Sequence, residues 1–312
     1  MTDTYDEFPE INNPHDKLFK QVFREKEHLL DFMRNHLPLE ILEHMDMSTL
    51  QFMPGSFLEE EFTANYSDII VRLAFQDKPL ELYFLFEHKS SSDPLALWQL
   101  LNYMVRQWKS DLDKNQDLIP VIPVLFYHGE KEWKYSTFPS LFKKIPKIFL
   151  EYIPDFQYIL HDISSESGQE IRGGIVVRLA QELMRLASGA DPEEKIPKIL
   201  HLMRFLHLVD SGERWMEVFL RYMLAVTNVK YQTIAAEFRE MKYPLGEEIV
   251  MSTMKKILNK GKEQGIKQGK IEGKIEGKLE DARKMHEEGM EPALIIKITG
   301  LTPEQLKEAK II

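Results

Sequence analysis

Residues 68–89 read DIIVRLAFQDKPLELYFLFEHK, two apolar runs joined by a polar turn. Asp68–Phe75 is rich in β-branched and apolar residues, the composition of a strand. Gln76-Asp77-Lys78-Pro79 has turn chemistry, and Leu80–His88 is a second, more apolar strand. A hairpin symmetric about Asp77-Lys78 sets Asp68 directly opposite Glu87, with Cβ atoms about 5 Å apart on one face. Lys89, two residues beyond Glu87, shares that face. One register therefore gathers two carboxylates and a lysine at strand ends.

The flanking segments set the topology. Ser90–Pro94 opens a helix, with Asp93 as N-cap and Pro94 at the first position, running to about Ser110. Residues 121–127 (VIPVLFY) form a buried strand in which Pro123 is awkward. A helix between two strands favours their parallel pairing in one sheet. Upstream, Asn13-Pro14 starts a helix whose apolar positions, Leu18, Phe19, Val22, Phe23, Leu29, Leu30 and Phe32, recur at helical spacing until Pro38. The stretch 51–63 is mixed, with a strand expected after Pro54-Gly55. The order is helix, two or three strands, helix, strand: an α/β fold.

Around this lie a disordered leader (1–12), a core (13–165), a helical lobe (166–260), a repeat with Gly at every fourth residue (261–285) and a short helical hairpin (286–312). Thr302-Pro303-Glu304-Gln305 has the form of a capping box. The chain has no Cys, which removes disulfides, thiolate metal sites and cysteine nucleophiles. No apolar run reaches the ~18 residues of a membrane helix. Met1–Asn13 is too polar and acidic for a secretory signal, so a cytoplasmic, membrane-free protein is expected. The net charge of −10 weighs against tight nucleic-acid binding. It is uneven: residues 251–312 hold 13 basic and 10 acidic residues (+3), leaving 27 against 40 (−13) in residues 1–250.

Like charges directly opposite each other destabilise a sheet unless compensated. A divalent cation is the natural compensation for Asp68 and Glu87. Mg²⁺, or another ion such as Mn²⁺ or Ca²⁺, takes oxygen ligands, and the backbone carbonyl of His88 adds one. Lys89 would then orient a water or stabilise charge on a phosphate, an arrangement suited to phosphodiester hydrolysis. The triplet Glu-x-Lys alone says little, since it occurs seven times in the chain; only Glu87 ends a long apolar strand with an acid in register. The competing reading is a solvated strand end where Lys89 neutralises one acid. The His88 ring points to the other face, where a packed or surface imidazole is the simpler account. Asp16 would supply a third carboxylate or merely favour the helix dipole. Gln99, Tyr103 and Arg106 share one helical face that would either touch substrate or be an ordinary polar face.

The segments PHDKLFKQVF (14–23), SDIIVRLAF (67–75), LYFLFEHKSSSDP (82–94), LLNYM (100–104) and PVIPVLFYHG (120–129) resemble the Rpn/YhgA-like family of transposase-like, recombination-promoting nucleases. That family lies within the PD-(D/E)xK nuclease superfamily. The resemblance implies an α/β nuclease core of helix, three strands, helix and strand, with a mixed sheet, followed by a helical lobe and a Gly-repeat helical tail. It also implies a metal-dependent DNA endonuclease acting in recombination or transposition, with Asp68 and Glu87 as its acids and Lys89 as its lysine. His15-Asp16 matches the family's N-terminal His-Asp element. Many relatives carry Gln at the position of Lys89, so this chain stands nearer the superfamily pattern.

Residues 261–280, GKEQGIKQGKIEGKIEGKLE, form either a linker or a pairing helix. Gly, Lys and Glu rows at four-residue spacing weaken a lone helix, yet with the Ile271, Ile275 and Leu279 stripe they suit an interface. Homo-oligomerisation through 261–280 is therefore expected, with DNA as the other partner. The rival functions are a catalytically weak or inactive oligomeric DNA-binding regulator that keeps the nuclease fold, and an interaction scaffold built on the tail.

Overall fold

The computed structural model describes residues 13–53, 69–76, 81–189 and 192–312. The expected leader, the strand after Pro54-Gly55, Asp68 and the turn at 77–80 lie outside the described residues. The chain divides into two compact units, one spanning 10–253 and another that includes 254–312.

The first unit is built on a five-stranded mixed sheet in chain order: β1 (Met45–Phe52), β2 (Ile69–Phe75), β3 (Glu81–Lys89), β4 (Val121–Tyr127) and β5 (Ile159–Asp162). β1, β2 and β3 pair antiparallel, while β3, β4 and β5 pair parallel. The hairpin register is the one the sequence implies, with Ile69 opposite Phe86 and Ala74 opposite Glu81. The crossover helix α4 (Ala96–Asp113) returns the chain so that β4 lies parallel to β3. It starts two residues later than expected. Asp93 caps Leu95 instead, its Oδ1 accepting the Leu95 N–H at 2.9 Å.

β1 sits upstream of Pro54-Gly55, and a register irregularity between Asp46 and Gln51 breaks its alternation, hiding it from a period-of-two reading. β5 spans four residues, too few for a periodic signal. Pro123 is tolerated in the central strand for a geometric reason. Lys89 C=O accepts from His128 N–H and Tyr127 C=O from Ile163 N–H, so odd-numbered residues of β4 turn their backbone toward β5. The β5 pairing begins only at Val124 with Ile159, so the missing Pro123 N–H removes no ladder bond.

Helices cover both faces. Tyr83 on β3 and Leu125 and Tyr127 on β4 pack with Leu97, Leu100, Tyr103 and Met104 of α4. On the other face, Phe84, Phe86, Val124 and Phe126 are buried beneath α1 (Pro14–Phe23) and α2 (Lys26–His36). The single helical stretch expected from 14 is two helices, because Glu25 is extended (φ −84°, ψ 123°). That break lets both apolar faces meet the sheet, with Phe23 edge-on to Phe32 at 5.3 Å. The short α3 (Leu39–Leu42) precedes β1; helices α5 (Ile175–Ser188) and α7 (Gly212–Val226) pack on α1, with α6 (Pro192–Met203) against α5 and α8 (Tyr231–Glu240) against α6, so residue 165 marks no packing boundary.

The Gly repeat lies within one continuous helix, α9 (Pro244–Glu287). In the second unit, α10 (Pro292–Thr299) and α11 (Pro303–Glu308) enclose a small core of Ala282, Ile295, Leu301, Leu306 and Ile311, with Ile275 and Leu279 against it. The expected capping box forms: Thr302 Oγ1 accepts from Gln305 N–H and Gln305 Oε1 from Thr302 N–H.

Candidate active site

β3 carries its charges to the carboxyl end of the parallel strands. Alternation sends Tyr83, Glu87 and Lys89 to the face covered by α4, and Phe84, Phe86 and His88 to the other. Glu87 is 2% exposed, rare for a carboxylate unless it is paired. Its Oε1 lies 2.9 Å from Lys89 Nζ. The same ammonium lies 3.0 Å from Asp93 Oδ2 and donates to Gln99 Oε1. Burial opposes its charge, but Glu87 and Asp93 outweigh burial and hold Lys89 above its ordinary pKa. Lys89 is thus an ammonium at neutral pH, a donor and not a base.

Glu87 Oε2 is buried and has no hydrogen-bond partner among the described residues. A buried carboxylate oxygen left unpaired is costly, and a hard cation would satisfy it. Among the described residues no group of three or more His, Asp and Glu side chains is arranged to hold a metal ion. Asp68, the other acid of the expected pair, lies outside them. His88 also has suitable backbone geometry. Tyr83 N–H donates to Pro120 C=O and Lys89 C=O accepts from His128, so odd-numbered residues of β3 bond to β4. The backbone groups of His88 therefore point away from β4, on the hairpin side. These donors fit a divalent ion, in number short of a full set.

The other expected residues fall in different surroundings. The His88 ring stacks on Phe19 (4.9 Å, 22°) and on His128 (4.8 Å, 19°) on the opposite face. Burial, then His128 and His15, push its pKa well below that of a free imidazole. Tyr103 is buried in the α4 cluster, and Arg106 is half-buried further along that helix. Asp16 sits on α1, which covers the opposite face through Phe19, and pairs with Lys20 at 3.0 Å. Its neighbour His15 shares a 2.7 Å hydrogen bond with Tyr222. Of the residues singled out, then, the described structure gathers Glu87, Lys89 and Gln99 and leaves Asp16 on the other face.

The family model described as "Putative transposase, YhgA-like" matches residues 13–214. The chain belongs to this family. Its YhgA-like relatives include the recombination-promoting nuclease RpnA of Escherichia coli K12, 25% identical over 96% of this chain and 97% of its own length. RpnC from the same organism is 35% identical over 38% of this chain and 39% of its own. The K12 protein named inactive recombination-promoting nuclease-like protein RpnE is 26% identical over 93% and 95%. No solved structure matches.

One residue at this candidate site escaped the sequence reading. Asp93 was assigned to capping, yet its second oxygen holds Lys89. The sequence signal for this contact is the i, i+4 spacing of Lys89 and Asp93, which brings side chains together on a helix but decides nothing across a loop such as Ser90-Ser91-Ser92.

Proposed function

We propose that this chain is a divalent-metal-dependent nuclease of the PD-(D/E)xK type that hydrolyses DNA phosphodiester bonds in recombination. The observation that carries this reading is Glu87, a buried carboxylate with one oxygen on Lys89 and the other without a hydrogen-bond partner among the described residues, at the end of a central strand. The family and the nuclease names of RpnA and RpnC support it. Glu87 Oε2, the His88 carbonyl and Asp68 would hold Mg²⁺ or a similar ion. When bound, the ion would polarise a phosphoryl oxygen and acidify a water. Lys89, kept charged by Glu87 and Asp93, would donate to the scissile phosphate or orient the attacking water. Gln99 and Asp93 would fix the ammonium so that it does not reorganise during the reaction. α4 would shield the Glu87 and Lys89 side of the sheet from bulk water.

A second reading has its own support, because RpnE is named inactive and aligns with this chain nearly end to end. In that case the fold binds nucleic acid without cutting it. Plasmid cleavage in Mg²⁺ separates the two, using wild type, Asp68→Ala and Glu87→Gln, with Mn²⁺ binding followed by calorimetry. Loss of at least a hundredfold in cleavage and of the calorimetric signal in both variants is expected. Cleavage surviving either substitution would reject the site, and binding without cleavage by wild type would select the second reading.

A further inference from the structure

The connection between β4 and β5 is a built surface for which the site above has no use. Residues 131–152 carry five Lys against two Glu, a net +3 inside the segment 1–250 that totals −13. The segment is pinned to the α4 side of the sheet, the side of Glu87 and Lys89, by Trp133, Phe138 and Tyr158 in that core. Its start is fixed at the site: Tyr127 is the register partner of Lys89, and His128 N–H donates to Lys89 C=O.

From there an aromatic row runs outward. Tyr127 meets Trp133 at 4.9 Å, and Trp133 Nε1 donates to Tyr158 Oη at 3.2 Å. Tyr135 lies flat on Tyr158, with centroids 4.6 Å apart and planes 8° from parallel. Tyr135 is nonetheless 55% exposed, so one ring face is packed and the other is open. A ring held flat from behind and exposed in front is a stacking platform. Lys131, Lys134, Lys143, Lys144 and Lys147 are all exposed along the same segment.

We propose that residues 131–152 bind unpaired nucleic acid, a base stacking on Tyr135 and the lysines contacting backbone phosphates, so that the strand leads toward Lys89. Stacking needs a base whose face is not already covered, which selects single-stranded or frayed substrate over intact duplex. Lysines in an otherwise acidic unit match a phosphate chain. This rests on the nuclease reading for its direction, and its test is kept separate from cleavage. The neighbouring Ile148, Phe149 and Tyr152 are also exposed, so a lipid surface or a second copy of the chain are the competing occupants.

The test is fluorescence anisotropy of the full chain, in the Glu87→Gln background and in Mg²⁺, with a labelled single-stranded DNA and its blunt duplex. Tyr135→Ala should weaken single-strand binding at least fivefold, and Tyr135→Phe should hold it within twofold. Replacing Lys143, Lys144 and Lys147 by Ser should weaken it at least tenfold and flatten the plot of log affinity against log salt by about 2. All these positions are exposed, and circular dichroism melts should be unchanged. Three outcomes overturn the proposal: no single-strand binding by the parent protein, single-strand affinity within twofold after Tyr135→Ala, or equal weakening on the duplex. Lost binding to anionic phosphatidylglycerol vesicles, or a lost dimer in light scattering, with DNA affinity intact would also overturn it. If cleavage by wild type is absent while these losses appear, the nuclease reading fails and the surface stands.

Discussion

At the residue scale, Glu87 and Lys89 are a buried pair with unequal insurance. Lys89 has Asp93 and Gln99 as well as Glu87, whereas Glu87 has Lys89 on one oxygen and, among the described residues, nothing on the other. Removing one partner of a buried pair costs roughly 3–5 kcal/mol when the other charge is left uncompensated. Lys89→Met should therefore fall near that range, because it strands the Glu87 carboxylate. Glu87→Gln leaves the ammonium on Asp93 and should cost about 1 kcal/mol. Urea unfolding of both variants checks the order, and a Glu87→Gln loss as large as that of Lys89→Met would contradict it. Much of this pair was legible in the sequence, since alternation places residues two apart on one face whatever the fold. The role of Asp93 was not, because its approach depends on the path of a loop.

At the scale of elements, the hairpin register and the parallel β3–β4 pairing were readable because turn chemistry and a crossover helix leave few alternatives. β1 and β5 were not, one for its irregular register and the other for its length. The tail divided differently. Its capping box is a local signal and formed as expected, whereas the expected pairing between copies rested on an apolar stripe whose partner the sequence does not name. Two of its members, Ile275 and Leu279, turn out to pack within the chain, while Ile271 is 46% exposed. A Cβ placed on Gly265, Gly269, Gly273 or Gly277 would meet nothing within 4 Å. Ala at Gly269 and Gly273 should then raise helix stability by about 1 kcal/mol each, seen as a higher melting temperature of the helical signal. If instead light scattering shows that the substitutions lower an oligomeric mass, the glycine row is a contact face between copies.

For the whole molecule, imidazoles buried on the α1–α2 side of the sheet set the acid limit of stability. His161 Nε2 lies 2.7 Å from Gln181 Oε1 and its Nδ1 lies 3.1 Å from Gln169 Nε2, so the amides hold a neutral ring. Burial, then His36, lowers its pKa from 6.5 to about 3. The unfolded chain takes up this proton as pH falls below 6.5, and the folded chain does not. Stability is thus complete above 6.5 and falls by about 1.4 kcal/mol per pH unit below it, until the folded ring titrates. His128, with a pKa lowered to about 3 by burial, acts in the same direction. Urea midpoints measured from pH 7 to pH 4.5 should show this slope, and His161→Asn should make it shallower by that amount. An unchanged slope would mean that His161 does not contribute to acid unfolding.

The strand order β1-β2-β3-β4-β5 matches the order of synthesis, so each strand after β1 leaves the ribosome beside a partner already made. β3, like β4, waits a long stretch of chain for its second neighbour. Its second neighbour comes only after residues 90–120, which include α4, and until then ELYFLF (81–86) is an open edge with strong β propensity and one charge. The strand that presents Glu87 and Lys89 is therefore also a nascent-chain hazard. Ribosome pausing within residues 90–120 should increase co-translational aggregation, and a chaperone that shields this edge should raise soluble yield more than one acting on the finished protein.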